Sequence, residues 1–148
     1  MLDFLETNPQ LFLVAFIGVA VIVVLLFVIG GSKAESRFGS LKDQSIVFRE
    51  RGASGYSTKS LIAQFGGATG VLDVVVTREE LWIKGIWPAF TYIGTKYDLA
   101  HKVPLTNVKE AKLSGPEVSV TFTNESGIKT NVQLRLKDPG AFLRAVAA

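Results

Sequence analysis

The chain of 148 residues contains no cysteine and a single histidine, His101. No disulfide can form, thiolate metal sites are excluded, and a histidine cluster for zinc cannot be assembled. No cofactor is expected. The lack of cysteine fits a reducing compartment. Basic residues are also missing from the first 32 positions: all 16 Lys and Arg follow an apolar block that Asp3 and Glu6 precede. With a net charge of +3 and a pI near 9.3, the chain from Lys33 onward is mildly basic. That balance suits an anionic membrane surface. No Lys/Arg run and no RNA-binding aromatic motif accompanies it, so no nucleic-acid partner is expected. There is no internal repeat and no low-complexity segment.

What is present is one long apolar run. Mean hydropathy is +0.33 with 48% hydrophobic residues, and the excess sits in residues 11–29, LFLVAFIGVAVIVVLLFVI. As a helix this run spans about 28 Å, close to the roughly 30 Å hydrocarbon core of a bilayer. A cleaved signal peptide is the rival reading, with Gly30-Gly31-Ser32 imitating a cleavage site. It calls for a positive n-region and a shorter apolar stretch, whereas the flank here is acidic and the run is long. Lys33, Arg37 and Lys42 follow the run. The positive-inside rule then places residues 1–10 outside and the rest in the cytoplasm, as a single-pass protein of the plasma (inner) membrane. Phe4 and Leu5 are expected at the outer interface, ahead of a turn at Asn8-Pro9. Gly18 has Val14 and Ile22 four residues to either side, so no GxxxG dimerisation pattern occurs.

Residues 30–44 read as a juxtamembrane linker, opened by Gly30-Gly31-Ser32. A first strand or entry segment is expected at 45–50, and the Gly/Ser-rich stretch 52–70 as a long loop with some short pairing, with partner binding one role open to it. Candidate strands follow at 71–77, 81–86, 89–93, 98–103 and 108–113. The clearest pair comes last: Val118, Val120 and Phe122 alternate with polar residues. After a turn at Asn124 to Gly127, so do Ile128, Thr130, Val132, Leu134 and Leu136. This is the period of an antiparallel hairpin with one wet face. Asp138 then caps a short helix with Pro139 at its first position and Phe142, Leu143 and Val146 on one face.

About seven short strands closed by a C-terminal helix make residues 45–148 a mainly β domain. The segments VLDVVVTREELWI, YDLAHKVPLTNVKEAKL and EVSVTFTNESGIKTNVQLRLKDPGAFLRAV resemble the pleckstrin-homology superfold, in particular bacterial pleckstrin-homology-like and GRAM-like domains. The resemblance rests on Val103-Pro104-Leu105 leading to Val108, and on the step Asp138, Pro139, Phe142. It implies a bent antiparallel barrel plugged by the helix, and binding rather than catalysis. In relatives of this fold, basic residues between the first two strands hold lipid headgroups; the nearest counterparts here are Arg49, Arg51 and Lys59, which do not match that basic motif closely.

Other features of the sequence have plainer explanations. Asp98 and His101 in YDLAHK are a conceivable catalytic pair, but no nucleophile-elbow signature accompanies them, and His101 is expected as a strand-end or packing residue. GASGYSTKS lacks the glycines of a phosphate loop, with Ala53 and Thr58 where they belong. In GIWPAF, Ile86, Trp87 and Phe90 are candidates for contact with a partner or the membrane, with core filling the alternative for Trp87; Trp82 is expected to be buried. Lys33, Arg37, Lys42, Arg49, Arg51 and Lys59 are candidates for contact with anionic lipid. Asn124-Glu125-Ser126 is a glycosylation sequon that a cytoplasmic location makes irrelevant. The expectation is a non-enzymatic, membrane-anchored adaptor or scaffold whose partner is another membrane protein. An accessory subunit of a larger membrane complex and peripheral recognition of anionic lipid are the alternatives.

Overall fold

A computed structural model describes residues 8–41, 45–59 and 67–148. Phe4, Leu5 and Lys42 therefore lie outside the described residues, as does the middle of the expected loop. The chain opens with helix α1, Pro9–Ser36. Proline is tolerated in the first turn because its missing N–H would have no helical partner there. From residue 10 to residue 29 the helix is solvent-accessible on nearly every side, as a length of apolar helix with no protein around it must be. It is long and apolar enough to cross a membrane.

Two expectations about the next segments need correction. The first is the linker: residues 30–36 are helical, and of the described residues in 30–44 only 37–41 lie beyond the helix. Gly30 and Gly31 are poor helix formers by propensity, but packing overrides propensity where a face is buried. Gly31 and Ala34 are buried, and a side chain at Gly31 would collide with the backbone of Pro88. The second is the loop at 52–70. Strand β1, Ile46–Ser57, runs well into it, and β2, Ala68–Thr77, begins before its end.

Strand β3, Glu80–Gly85, pairs with β2 through a turn in which Thr77 Oγ1 accepts the N–H groups of Glu79 and Glu80. The expected strand at 89–93 is instead part of helix α2, Pro88–Lys96. Pro88 at its start pre-sets the helical φ. The aromatic and β-branched residues that read as strand are helical because α2 packs on α1 and on β3. Strand β4, His101–Pro104, starts later than expected because Asp98, at φ 57°, turns the chain first. A 3-10 turn, Leu105–Asn107, leads to β5, Val108–Ser114, then β6, Glu117–Thr123, and β7, Lys129–Arg135. Helix α3, Pro139–Ala147, ends the fold, with Asp138 accepting the Ala141 N–H at 2.9 Å as its N-cap.

All pairings are antiparallel, in the order β4-β3-β2-β1-β7-β6-β5. The long β1 joins the halves, pairing with β2 along most of its length and with β7 near its end, with register irregularities between. Such irregularities bend a strand and raise its twist. The architecture is consistent with the expected pleckstrin-homology-like bent sheet and capping helix, although the sheet is not closed into a barrel: β4 and β5 are its edges. The main core lies on one side of the sheet, where Val74, Val76, Leu81, Ile83, Val120, Phe122, Val132 and Leu134 meet Phe142 of α3. Phe142 packs edge-on against Phe48, with ring centroids 5.5 Å apart.

Candidate functional site

The intervening residues Asp73, Val75, Trp82 and Lys84 point to the opposite side of the sheet, as strand alternation requires. That side would be wet in a free-standing domain. Here the end of α1 covers it. Phe38, just beyond α1, forms a second, smaller core with Val75, Trp82 and Ala100. Trp82 is 0% exposed. Its indole N–H donates to Glu80 Oε2 at 2.8 Å, and Lys102 Nζ sits 4.7 Å above the ring while donating to the Phe38 carbonyl at 3.2 Å. A cation over a partly desolvated indole adds to the attraction.

A row of alternating charge runs beneath the helix. Arg49 of β1 holds the buried Asp73 carboxylate with two hydrogen bonds, at 3.0 and 2.7 Å. That bond, more than the opposing effect of burial, raises the Arg49 pKa above its ordinary value. Asp73 is the register partner of Lys84, and Lys84 pairs with Glu35 of α1. The other oxygen of Glu35 accepts from Thr91 Oγ1 at 3.0 Å, and Thr91 Oγ1 accepts the Gly85 N–H at 3.1 Å. Gly85 is required here, since a side chain would strike the backbone of Phe90 and Thr91. One half-buried carboxylate thus ties α1, β3 and α2 together, with every ionised group partnered.

A second tie reaches the β6–β7 hairpin tip. His101 is 4% exposed, its ring 4.9 Å from Phe122. Its Nε2 lies 2.8 Å from the Asp98 carbonyl and 3.2 Å from Asp98 Oδ1, and its Nδ1 lies 3.4 Å from Glu125 Oε2. Burial pushes the imidazole down, but hydrogen bonds with Asp98 and Glu125 outweigh it and raise the pKa to about 9. Burial pushes Glu125 up, and its bonds with His101 and the Lys102 amide bring it down to about 2. Glu125 also meets Arg37 at 3.5 Å. Ser57 Oγ donates to Asp98 at 2.8 Å rather than to His101, so the three do not form a nucleophile–base pair. Asn124, of the sequon, is buried, and its Oδ1 accepts the N–H groups of Ser126 and Ile128 to shape the turn.

The remaining candidates lie around this junction. Trp87 is 64% exposed, with Phe90 half-buried beside it at a ring separation of 6.3 Å. Ile86 is half-buried and its carbonyl accepts from Arg51 at 3.4 Å. Lys33 is exposed on the last turn of α1, and Lys59 is exposed past the end of β1. Arg49 and Lys59 stand at opposite ends of β1, up to about 30 Å apart along an extended strand, so a single headgroup reaches only part of the basic set. Between α1 and the start of α2 an open, largely apolar groove of about 770 Å³ is bounded by Val24, Phe27 and Val28 on one side and Trp87, Pro88 and Ala89 on the other. The sequence reading missed this junction. Its signal was present in Gly30, Gly31 and Ala34, small residues at helical spacing where a second helix can approach closely. No protein-family model matches the chain, and comparison with curated proteins finds no match either.

Proposed function

We propose that the protein is a membrane-anchored, non-catalytic interaction module, an adaptor or scaffold that holds its β domain on the cytoplasmic face of the plasma membrane. The observation that carries this reading is the unbroken passage of α1 into the domain. Gly31, Ala34 and Phe38 are buried, and Glu35 is bonded to both β3 and α2. A helix fixed in this way orients the sheet relative to the membrane rather than merely keeping it nearby. The open edge strand β5, exposed along most of its length, carries unpaired backbone groups suited to pairing with an extended segment of another membrane protein.

The test is purification of the tagged full-length chain from native membranes in mild detergent, followed by mass spectrometry. A stoichiometric membrane partner is expected, and recovery of the chain alone would overturn the reading. Protease protection of the C-terminal domain in sealed vesicles checks its side of the membrane.

A second reading is an accessory subunit whose helix packs among others through the apolar surface of residues 11–29. Replacing 11–29 with an unrelated apolar helix, while keeping 30–38, separates the two. The module retains its partner, whereas the subunit loses it.

A further inference from the structure

We propose that helix α2 and its leading Trp87 are embedded in the lipid leaflet into which α1 descends, so that the β domain rests on the bilayer through a second, in-plane contact. The inference rests on the reading of α1 as a membrane anchor. Depth is the first argument. The Tyr92 ring of α2 meets Phe27 edge-on, with centroids 6.1 Å apart, and lies against Gly30. Phe27 belongs to the apolar run, about 3 Å along the axis from its end at Ile29. The headgroup layer on each side of a bilayer is about 5–7 Å thick. A helix touching Phe27 and Gly30 therefore sits at the boundary between hydrocarbon and headgroups, not in water beyond them.

Level is the second argument. Trp87 lines its groove with Val24, Phe27 and Val28, a side chain at Gly31 would strike Pro88 and Ala89 at the start of α2, and Tyr92 lies against Phe27 and Gly30 further along it. Residues 27–31 span about 6 Å of the α1 axis, so the first turns of α2 cross α1 at one level.

The chemistry of the surface suits that depth. Trp87 and Tyr92 are the residue types favoured at the water–lipid boundary, and Phe90 adds apolar surface beside Trp87. Trp87 is exposed while Trp82 is not. Lys33 and Lys96, each exposed on the last turn of its helix, add cations at the level of an anionic headgroup layer. Glu35, the acid in the groove, is neutralised by Lys84. The groove itself continues the lipid-facing surface of Val24 and Val28, so acyl chains of the same leaflet fill it.

The two tryptophans make the test direct. The full-length protein and Trp87→Phe are reconstituted in vesicles of zwitterionic and anionic phospholipid, with and without bromine on the acyl chains, and the difference in their emission reports Trp87. We expect brominated lipid to remove most of the Trp87 emission, with shallow bromine acting more strongly than deep, and aqueous acrylamide to have little effect. Quenching by acrylamide and not by lipid would overturn the proposal, leaving the tip in water. Shielding from both would overturn it too, since a second copy or another protein would then cover the tip. Val21→Trp in the Trp87→Phe background tests the anchor separately. Strong quenching of residue 21 by deep bromine without quenching of Trp87 refutes the embedded α2 alone, and no quenching at either position refutes the anchor and the proposal together.

Discussion

The two cores of this protein lie on opposite sides of the same strands and do different work. On β2, Val74 and Val76 face the larger core and Val75 the smaller, and all three are fully buried. The larger is built from the strands and α3 and makes the domain a folded unit. The smaller cannot close without Phe38, which follows directly on α1. The difference teaches that burial on the second side of this sheet is a joint rather than a foundation: it records how the domain is held, not why it folds.

That contrast can be broken from either side. The largest effect is expected for Phe142→Ala, which empties the centre of the larger core and should cost about 3–5 kcal/mol. Denaturant unfolding in micelles should show the domain losing its cooperative transition.

Next is the His101 cluster, which lies at the rim of the larger core and reaches α1 through Glu125 and Arg37. His101 has its pKa raised from 6.5 to about 9, so its contribution is complete below pH 6.5 and is lost as pH rises through 9. A shift of that size corresponds to at most about 3 kcal/mol. Glu125 and Asp98 are lowered, by bonds to His101 and others that overcome burial, so their contributions hold above the usual carboxylate range and fade as pH falls below it. Stability measured against pH should therefore decline on both flanks, and His101→Gln should flatten the alkaline one. An unchanged alkaline flank would count against the cluster.

Phe38→Ala should cost somewhat less, about 2–3 kcal/mol, because the exit from α1 can relax. Its signature is separable: the domain still unfolds cooperatively, while the distance between spin labels at Val19→Cys and Ser126→Cys broadens. The natural chain has no cysteine, so those labels are unique. If Phe38→Ala abolishes the folding transition itself, the two cores are one.

The smallest effect is expected in the ionic row. Lys84→Met alone leaves Glu35 half-buried without its cation and should cost about 1–2 kcal/mol, whereas Lys84→Met with Glu35→Leu should recover most of that. Recovery would mark the pair as a device for orientation more than for stability.

Much of the larger core was legible because strand alternation is a local signal. Val118, Val120 and Phe122, with Val132, Leu134 and Leu136, read as one buried side of a hairpin, and all are buried. Asp138 and Pro139 announced α3. The smaller core was not legible, because its members are united only by tertiary packing. Ala89 to Ile93 carries strand-type residues, and nothing local reveals that two glycines on α1 make room for it as a helix. Trp82 was readable as buried but not as the partner of Phe38. Of the contact candidates, Trp87 stands exposed, while Arg49, expected to be available to anionic lipid, is bonded to Asp73.

The continuity of α1 has a mechanical consequence. If residues 11–29 are a membrane anchor, as proposed, a flexible joint would let the bilayer and the sheet turn independently, but a helix that runs on into its cargo acts as a shaft. One residue added to α1 ahead of Val24, before its contacts with the domain begin, would swing the domain by about 100° relative to the start of the helix and lift it by about 1.5 Å. Any partner that rotates α1 within the membrane would steer the β5 edge through the same arc.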